Sequence, residues 1–235
     1  MAFKLIPLRD SIPSRKFPFV NVILIVANFI AFFYEISLGA ELERFIFQYG
    51  IVPAKIVHDI SNLGSASIKD ILIPFFTAIF LHGGWYHILS NMLYLWIFGD
   101  NLEDRMGHLR YLLFYLLCGF TSSLAHIITN ISSPIPTIGA SGAISGVLGA
   151  YFIIFPEARV LTLVPFGFFL HIAAIPAFLF LGFWFFSQTL NGLASLAIRT
   201  SMTGGVAWWA HIGGFVTGAI IGIRYRRRYR PYYGW

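Results

Sequence analysis

Long apolar runs broken by short polar stretches organise the chain. Six can be traced, over residues 18–38, 85–99, 109–128, 141–156, 160–190 and 204–223. A bilayer's hydrocarbon core is about 30 Å thick and takes roughly 20 apolar residues per crossing helix. The pattern predicts an all-α integral membrane protein, a bundle of six transmembrane helices. The first run follows Lys4, Arg9, Arg15 and Lys16, but also Pro7, Asp10 and Pro13, and it has no cleavage-like end. It is expected to be a retained first span rather than a signal peptide. The expected organisation is a cytoplasmic segment 1–17, a six-span core 18–223 and a basic cytoplasmic tail 224–235.

Composition strengthens the membrane reading: 57% of residues are hydrophobic, 18% aromatic and only 11% charged, far from a soluble domain's averages. Twelve of the 16 Lys and Arg lie at the two ends, in the 100–110 connection or at Arg159. Positive charge concentrates on the cytoplasmic side, so both termini are expected there, with an even number of spans. The tail "RYRRRYRPYYGW" follows the last apolar run, so attraction to anionic headgroups explains it better than nucleic-acid binding. Cys118 is the only cysteine, which excludes an intrachain disulfide.

The fourth run is short. From Ser141 to Phe155 it makes about 22 Å of helix, and Pro156, Glu157 and Arg159 pin its cytoplasmic end. It should therefore be a short central helix whose other end, at Ser141, stops below the outer surface. The uncharged "NISSPIPTIGA" before it suits an extended chain descending to that point. Irregular backbone at membrane depth survives only when buried in protein or lining a wet cavity, which predicts a water-accessible pocket floored by a serine. The long stretch 39–84 is mixed in polarity and is expected to lie on or dip into the outer leaflet, either as packing or as a wall of the site.

Helical spacing assigns the glycines. At about 100° per residue, Gly142, Gly146 and Gly149 form one smooth stripe beside Ser141, while Gly214, Gly218 and Gly222 share a face with His211. Small residues at such spacing let membrane helices touch backbone to backbone, so segments four and six should pair and bring Ser141 to His211. Such stripes and lone histidines are common helix glue, but ionisable groups inside a membrane are candidate functional groups. An imidazole beside a hydroxyl is the minimal base for a serine nucleophile. Glu35 is the only acid near that depth, and a Ser–His dyad is the better reading. Donors for an oxyanion are available in His87 and Asn91, at i and i+4 on one helical face, with the backbone N–H of Ser141 at a helix N-terminus.

The motifs "HGGWYHILSNM", "GASG" and "AHIGG", in that order on segments two, four and six, resemble the rhomboid intramembrane serine proteases. The resemblance covers the whole six-span core and implies a rhomboid-like bundle. Ser141 would be the nucleophile in GxSG, with Gly139 and Gly142 as its neighbours, and His211 the general base beside Gly213 and Gly214. His87, Asn91 and Ser141 would form the oxyanion hole. Implied partners are the bilayer and transmembrane-protein substrates cut near the outer face, in a multi-pass protein of a prokaryotic cell membrane. Segment five and the loop after it, around 188–203, would gate access. Two positions depart from well-known relatives. Ser145 stands where some carry a tyrosine against the catalytic histidine, which would leave His211 less firmly oriented, and the 39–84 loop lacks a Trp-Arg pair. No HExxH or GxGD motif is present, and no metal or cofactor is implied. The alternatives are a non-catalytic rhomboid-like escort of membrane helices, which usually lacks the serine or histidine, and a transporter, expected to show broken helices or paired midplane charges.

Overall fold

The computed structural model describes residues 5–62, 67–166, 169–197 and 206–226. Its helices are α1 (Phe19–Ser37), α2 (Leu42–Tyr49), α3 (Pro53–Ser61), α4 (Ile68–Thr77), α5 (Trp85–Met106), α6 (His108–Thr129), α7 (Ser141–Ile154), α8 (Ala177–Ala197) and α9 (Trp208–Ile223). Among the described residues α1, α6 and α8 are long and apolar enough to cross a membrane. The α4 and α5 regions, bent by 81° at their junction, make a fourth candidate if taken as one span. The apolar helices α7 and α9 are shorter. The fold is mostly helical, and the described residues of the stretch 39–84 include the short helices α2, α3 and α4.

One expectation is corrected. The chain is not all-α, and residues 160–166 and 169–176 are strands rather than part of a span. Strands β1 (Ile6–Asp10), β2 (Arg159–Phe166) and β3 (Phe169–Pro176) form an antiparallel sheet in the order β1-β2-β3. Ile6 is paired with Leu163 and Arg159 with Pro176. Hydropathy alone does not separate a buried strand from a membrane helix, but residue type does. Val160, Thr162, Val164, Ile172 and Ile175 are β-branched and favour a pleated surface. Pro165 and Pro176 would each remove a helical hydrogen bond. The span begins only after Pro176, and α8 keeps the helical length the membrane demands.

Helix α1 shows how the bundle is turned inside out relative to a soluble protein. Its buried face carries Asn21, Asn28 and Glu35, spaced by seven, with Leu24 and Phe32, while Ile23, Ile30 and Phe33 are exposed. Polar groups within membrane segments face the bundle interior, and the bare apolar face suits lipid. Glu103 of α5 fixes the start of α1 by accepting the backbone N–H groups of Val20 and Asn21 at 2.9 and 2.7 Å. The Asn21 side chain accepts from the Tyr111 hydroxyl and donates to the Leu95 carbonyl. A carboxylate on the open N–H groups of a helix start satisfies donors that have no partner within the helix.

Helix α7 lies among α5, α6, α8 and α9 and is buried from Gly142 to Tyr151. The approach to it is anchored at several points. Ile51 and Thr137 exchange backbone hydrogen bonds of 3.0 and 2.7 Å, the Thr137 hydroxyl meets His126 Nε2 at 2.8 Å, and Gly139 N–H donates to the Ala78 carbonyl at 2.8 Å. At the other end, Asp10 of β1 accepts from Asn101 at 2.8 Å and from the Tyr151 hydroxyl, which ties the sheet to α5 and α7. Burial pushes the Asp10 carboxyl up to about 7; the Tyr151 hydrogen bond works against the shift and the neighbouring Asp100 carboxylate adds to it.

Candidate active site

Ser141 is the first residue of α7, half-buried at the end of the stretch held by Thr137 and Gly139. Gly139 has φ 129°, a conformation side chains rarely adopt. A Cβ there would lie 2.8 Å from the His87 imidazole and 3.7 Å from Ser141 Oγ, so the missing side chain lets His87 and Ser141 border one space.

His211, on the first turn of α9, is buried, and its Nε2 lies 2.9 Å from Ser141 Oγ. Backbone contact between α7 and α9 sets this approach. A Cβ at Gly214 would overlap the Gly142 carbonyl, and one at Gly218 the Gly146 carbonyl. The glycine stripes also serve α6, which the spacing did not foretell. A Cβ at Gly142 would strike Ser122, one at Gly146 Cys118 and one at Gly213 Ala125.

His211 has a second partner that the sequence did not single out: its Nδ1 lies 2.8 Å from Gln188 Oε1 on α8. The rings of Trp184 and Trp208 lie 5.9 and 6.3 Å away. Ser145 takes no part in orienting the histidine, since its hydroxyl donates to the Ser141 carbonyl at 2.6 Å. Trp184 and Gln188, at i and i+4 on α8, are thus the side chains of that helix that lie against the His211 ring. The sequence holds only a short polar stretch, Ser187, Gln188, Thr189 and Asn191, in an otherwise apolar helix, and nothing in it singles out Gln188.

His87 and Asn91 are both on the first turns of α5. The Gly83 N–H points at His87 Nδ1 at 3.3 Å, so that nitrogen accepts and Nε2 carries the proton as a donor. Asn91 is buried, and its amide nitrogen has no hydrogen-bond partner among the described residues. Buried donors are rarely left in that state in native proteins.

Glu35 does not reach the pair. Both its carboxylate oxygens accept the His82 backbone N–H, each at 3.1 Å, so it steadies the loop that leads into His87. An apolar groove of about 440 Å³ runs between α5 and α8, with Leu5, Pro7, Tyr94 and Phe180 among its walls. It reaches Trp184 but is not lined by Ser141 or His211. Among the described residues no three His, Cys, Asp or Glu side chains are grouped to hold a metal ion. Residues 198–205, which take in the 198–203 part of the expected gate, and 227–235 of the basic tail lie outside the described residues.

Fold and site together define a helical membrane protein with a serine–histidine pair at the start of a buried helix. The chain belongs to the rhomboid family: the Rhomboid domain matches residues 69–228. It is similar to RHOMBOID-like protein 1 of Arabidopsis thaliana, 32% identical over 68% of this chain and 36% of that protein. It is also similar to the mitochondrial Rhomboid protein 1 of Saccharomyces cerevisiae, 30% identical over 76% of this chain and 46% of that protein. Over a shorter stretch, 32% of this chain and 14% of the relative, it is 47% identical to Rhomboid protease GluP of Bacillus subtilis. The chain thus spans less than half the length of these relatives. Relatives from yeast, Arabidopsis thaliana and cattle are mitochondrial, so the likeness does not single out a prokaryotic membrane.

Proposed function

We propose that the chain is an intramembrane serine protease that hydrolyses peptide bonds in or near the transmembrane helices of other membrane proteins. The observation that carries this reading is the 2.9 Å contact between His211 Nε2 and Ser141 Oγ. An imidazole nitrogen facing a serine hydroxyl is the arrangement a nucleophile and its base require. In the reaction His211, starting neutral, takes the Ser141 proton as Oγ bonds to the scissile carbonyl carbon. The carbonyl oxygen gains the charge and is held by the Asn91 amide, His87 Nε2–H and the Ser141 backbone N–H. His211 then passes its proton to the leaving amine, and a water molecule deacylates Ser141 by the reverse sequence.

In this reading residues 18–223 form a six-span core of α1, α5, α6, α7, α8 and α9, with 1–17 and 224–235 on the cytoplasmic side. The pairing of β1 with β2 supports it. That pairing requires an even number of crossings between Asp10 and Arg159, and α1, α5, α6 and α7 supply four. Fourteen residues of α7 make about 21 Å of helix, so Ser141 stops short of the outer face and the site opens toward it. The apolar groove between α5 and α8 offers a substrate helix a surface beside Trp184.

The test needs no known substrate. A fluorophosphonate is expected to label Ser141 of the purified protein in mild detergent, located by mass spectrometry, and His211→Ala is expected to abolish labelling. No adduct on a demonstrably folded protein would overturn the proposal and favour a non-catalytic escort of membrane helices.

A further inference from the structure

The His211 ring has two nitrogens, and only one can face Ser141 as a base. A neutral imidazole carries its proton on Nδ1 or on Nε2, and a proton on Nε2 would point at the serine hydroxyl and leave nothing to receive its hydrogen. Which nitrogen is protonated depends on what Nδ1 meets. Here it meets Gln188 Oε1 at 2.8 Å, and Gln188 is buried.

An amide offers either an oxygen or an NH2 group, and the neighbours of Gln188 decide which way it turns. Its Nε2 lies 3.4 Å from the Trp184 carbonyl oxygen and 3.2 Å from Ser187 Oγ. A carbonyl oxygen only accepts, so the amide must present its NH2 to Trp184, and its oxygen is left for His211. The Ser187 hydroxyl donates to the same Trp184 carbonyl at 2.7 Å, which leaves its lone pairs for the amide. Each donor in the chain has an acceptor in this orientation, and the opposite one sets Gln188 Oε1 against the Trp184 oxygen.

We infer that Gln188 is a positioning residue that holds His211 with its proton on Nδ1, so that the Nε2 lone pair faces Ser141. This rests on the proposed Ser141–His211 dyad and extends it to a third side chain. The amide neither gives nor takes a proton. Nδ1–H stays with Gln188 throughout, while Nε2 receives the serine proton and delivers it to the leaving amine. The Ser145 hydroxyl donates to the Ser141 carbonyl, so α8 carries the task through Gln188 and through Trp184 beside the imidazole. The same helix forms one wall of the groove, with Phe180, Phe183, Trp184 and Ser187. The readiness of His211 is thereby tied to the seat of α8.

Two substitutions separate the acceptor from the shape. Gln188→Leu keeps the volume and removes the oxygen, whereas Gln188→Glu keeps an oxygen for Nδ1–H. The readouts are the rate of Ser141 phosphonylation by a fluorophosphonate and the 15N spectrum of the His211 ring in detergent, assigned by difference from His211→Ala. Wild type is expected to show a protonated Nδ1 and a bare Nε2. Gln188→Leu should label on the order of 10- to 10²-fold more slowly with mixed ring tautomers, because a misdirected imidazole is no base. Gln188→Glu should recover most of the rate. A wild-type ring protonated on Nε2, a Gln188→Leu protein that labels at the wild-type rate, or a Gln188→Glu protein as slow as Gln188→Leu would each overturn the inference. If Gln188→Leu does not fold, the wild-type spectrum still decides. Failure of folded wild type to label at Ser141 would instead overturn the dyad itself, so the two failures are distinguishable.

Discussion

Gly218 lies seven residues after His211, two turns along the same face of α9, and it touches the backbone of Gly146 on α7. A Cβ there would sit 2.5 Å from the Gly146 carbonyl carbon and 2.7 Å from its Cα, and nearer still to the oxygen. Carbon atoms settle at about 3.5–4.0 Å, so Gly218→Ala requires α9 to back away from α7 by about 1 Å or more. Ser141 is on α7 and His211 on α9, and their 2.9 Å contact tolerates only about half an ångström before it ceases to be a hydrogen bond. Displacement of a catalytic group by about 1 Å costs on the order of 10² in rate, and overpacking costs about 1–3 kcal/mol of stability. Turnover of a fluorogenic transmembrane substrate in proteoliposomes should therefore fall about 10²-fold, with a lowered Tm in detergent. The control is Gly182→Ala on α8, whose Cβ would meet Phe152 at 3.7 Å in ordinary contact and should leave turnover unchanged with an equal or higher Tm. Alanine is the better helix former by about 1 kcal/mol, so without the clash Gly218→Ala would stabilise the protein. Wild-type turnover with an equal or higher Tm would refute the close-packing argument.

Asn91→Ala should lower kcat on the order of 10²-fold with little change in KM, as removal of one oxyanion donor does; an unchanged kcat in the same proteoliposome assay would remove Asn91 from that role. Glu35→Ala leaves the buried His82 N–H without its acceptor, a loss of about 1–3 kcal/mol, to be read as a lowered Tm; an unaltered Tm would mean that the loop is held elsewhere. Asp10, raised from 3.8 to about 7, favours the folded state when protonated. That contribution is complete below about pH 4 and is lost as pH rises through about 7. Hydrogen exchange at the β1 amides, corrected for intrinsic rates, should speed up between pH 5 and 8 in wild type and stay flat in Asp10→Asn; identical pH profiles would show that the carboxyl does not govern the attachment of the sheet.

Local geometry was legible in the sequence where distant geometry was not. His87 and Asn91 share a face because they are four residues apart, and His211 shares one with Gly218 because they are seven apart. Both follow from the helical period and need no knowledge of the fold. The expectation that Ser141 stops below the outer face rests likewise on local length, a run too short for the bilayer. Gln188 stayed hidden because its partner lies 23 residues away on another helix, and the task of Glu35 was hidden because its partner, 47 residues on, is a backbone N–H that carries no side-chain signature. The strand pair at 159–176 was hidden differently: in an apolar run hydropathy is saturated, and only Pro165, Pro176 and the β-branched residues distinguish sheet from span. A sharper rule follows for chains of this kind. Lipid offers a polar side chain no partner, so a polar residue within an apolar run must bond its own helix backbone or a group inside the bundle. Asn21, Asn28, Glu35, Asn91 and Gln188 are all buried, and each therefore marks the inward face of its helix. Four of them hydrogen-bond through their amide or carboxylate groups within the described residues. Asn91, whose amide nitrogen has no such partner, is the one whose donor remains available to a substrate carbonyl.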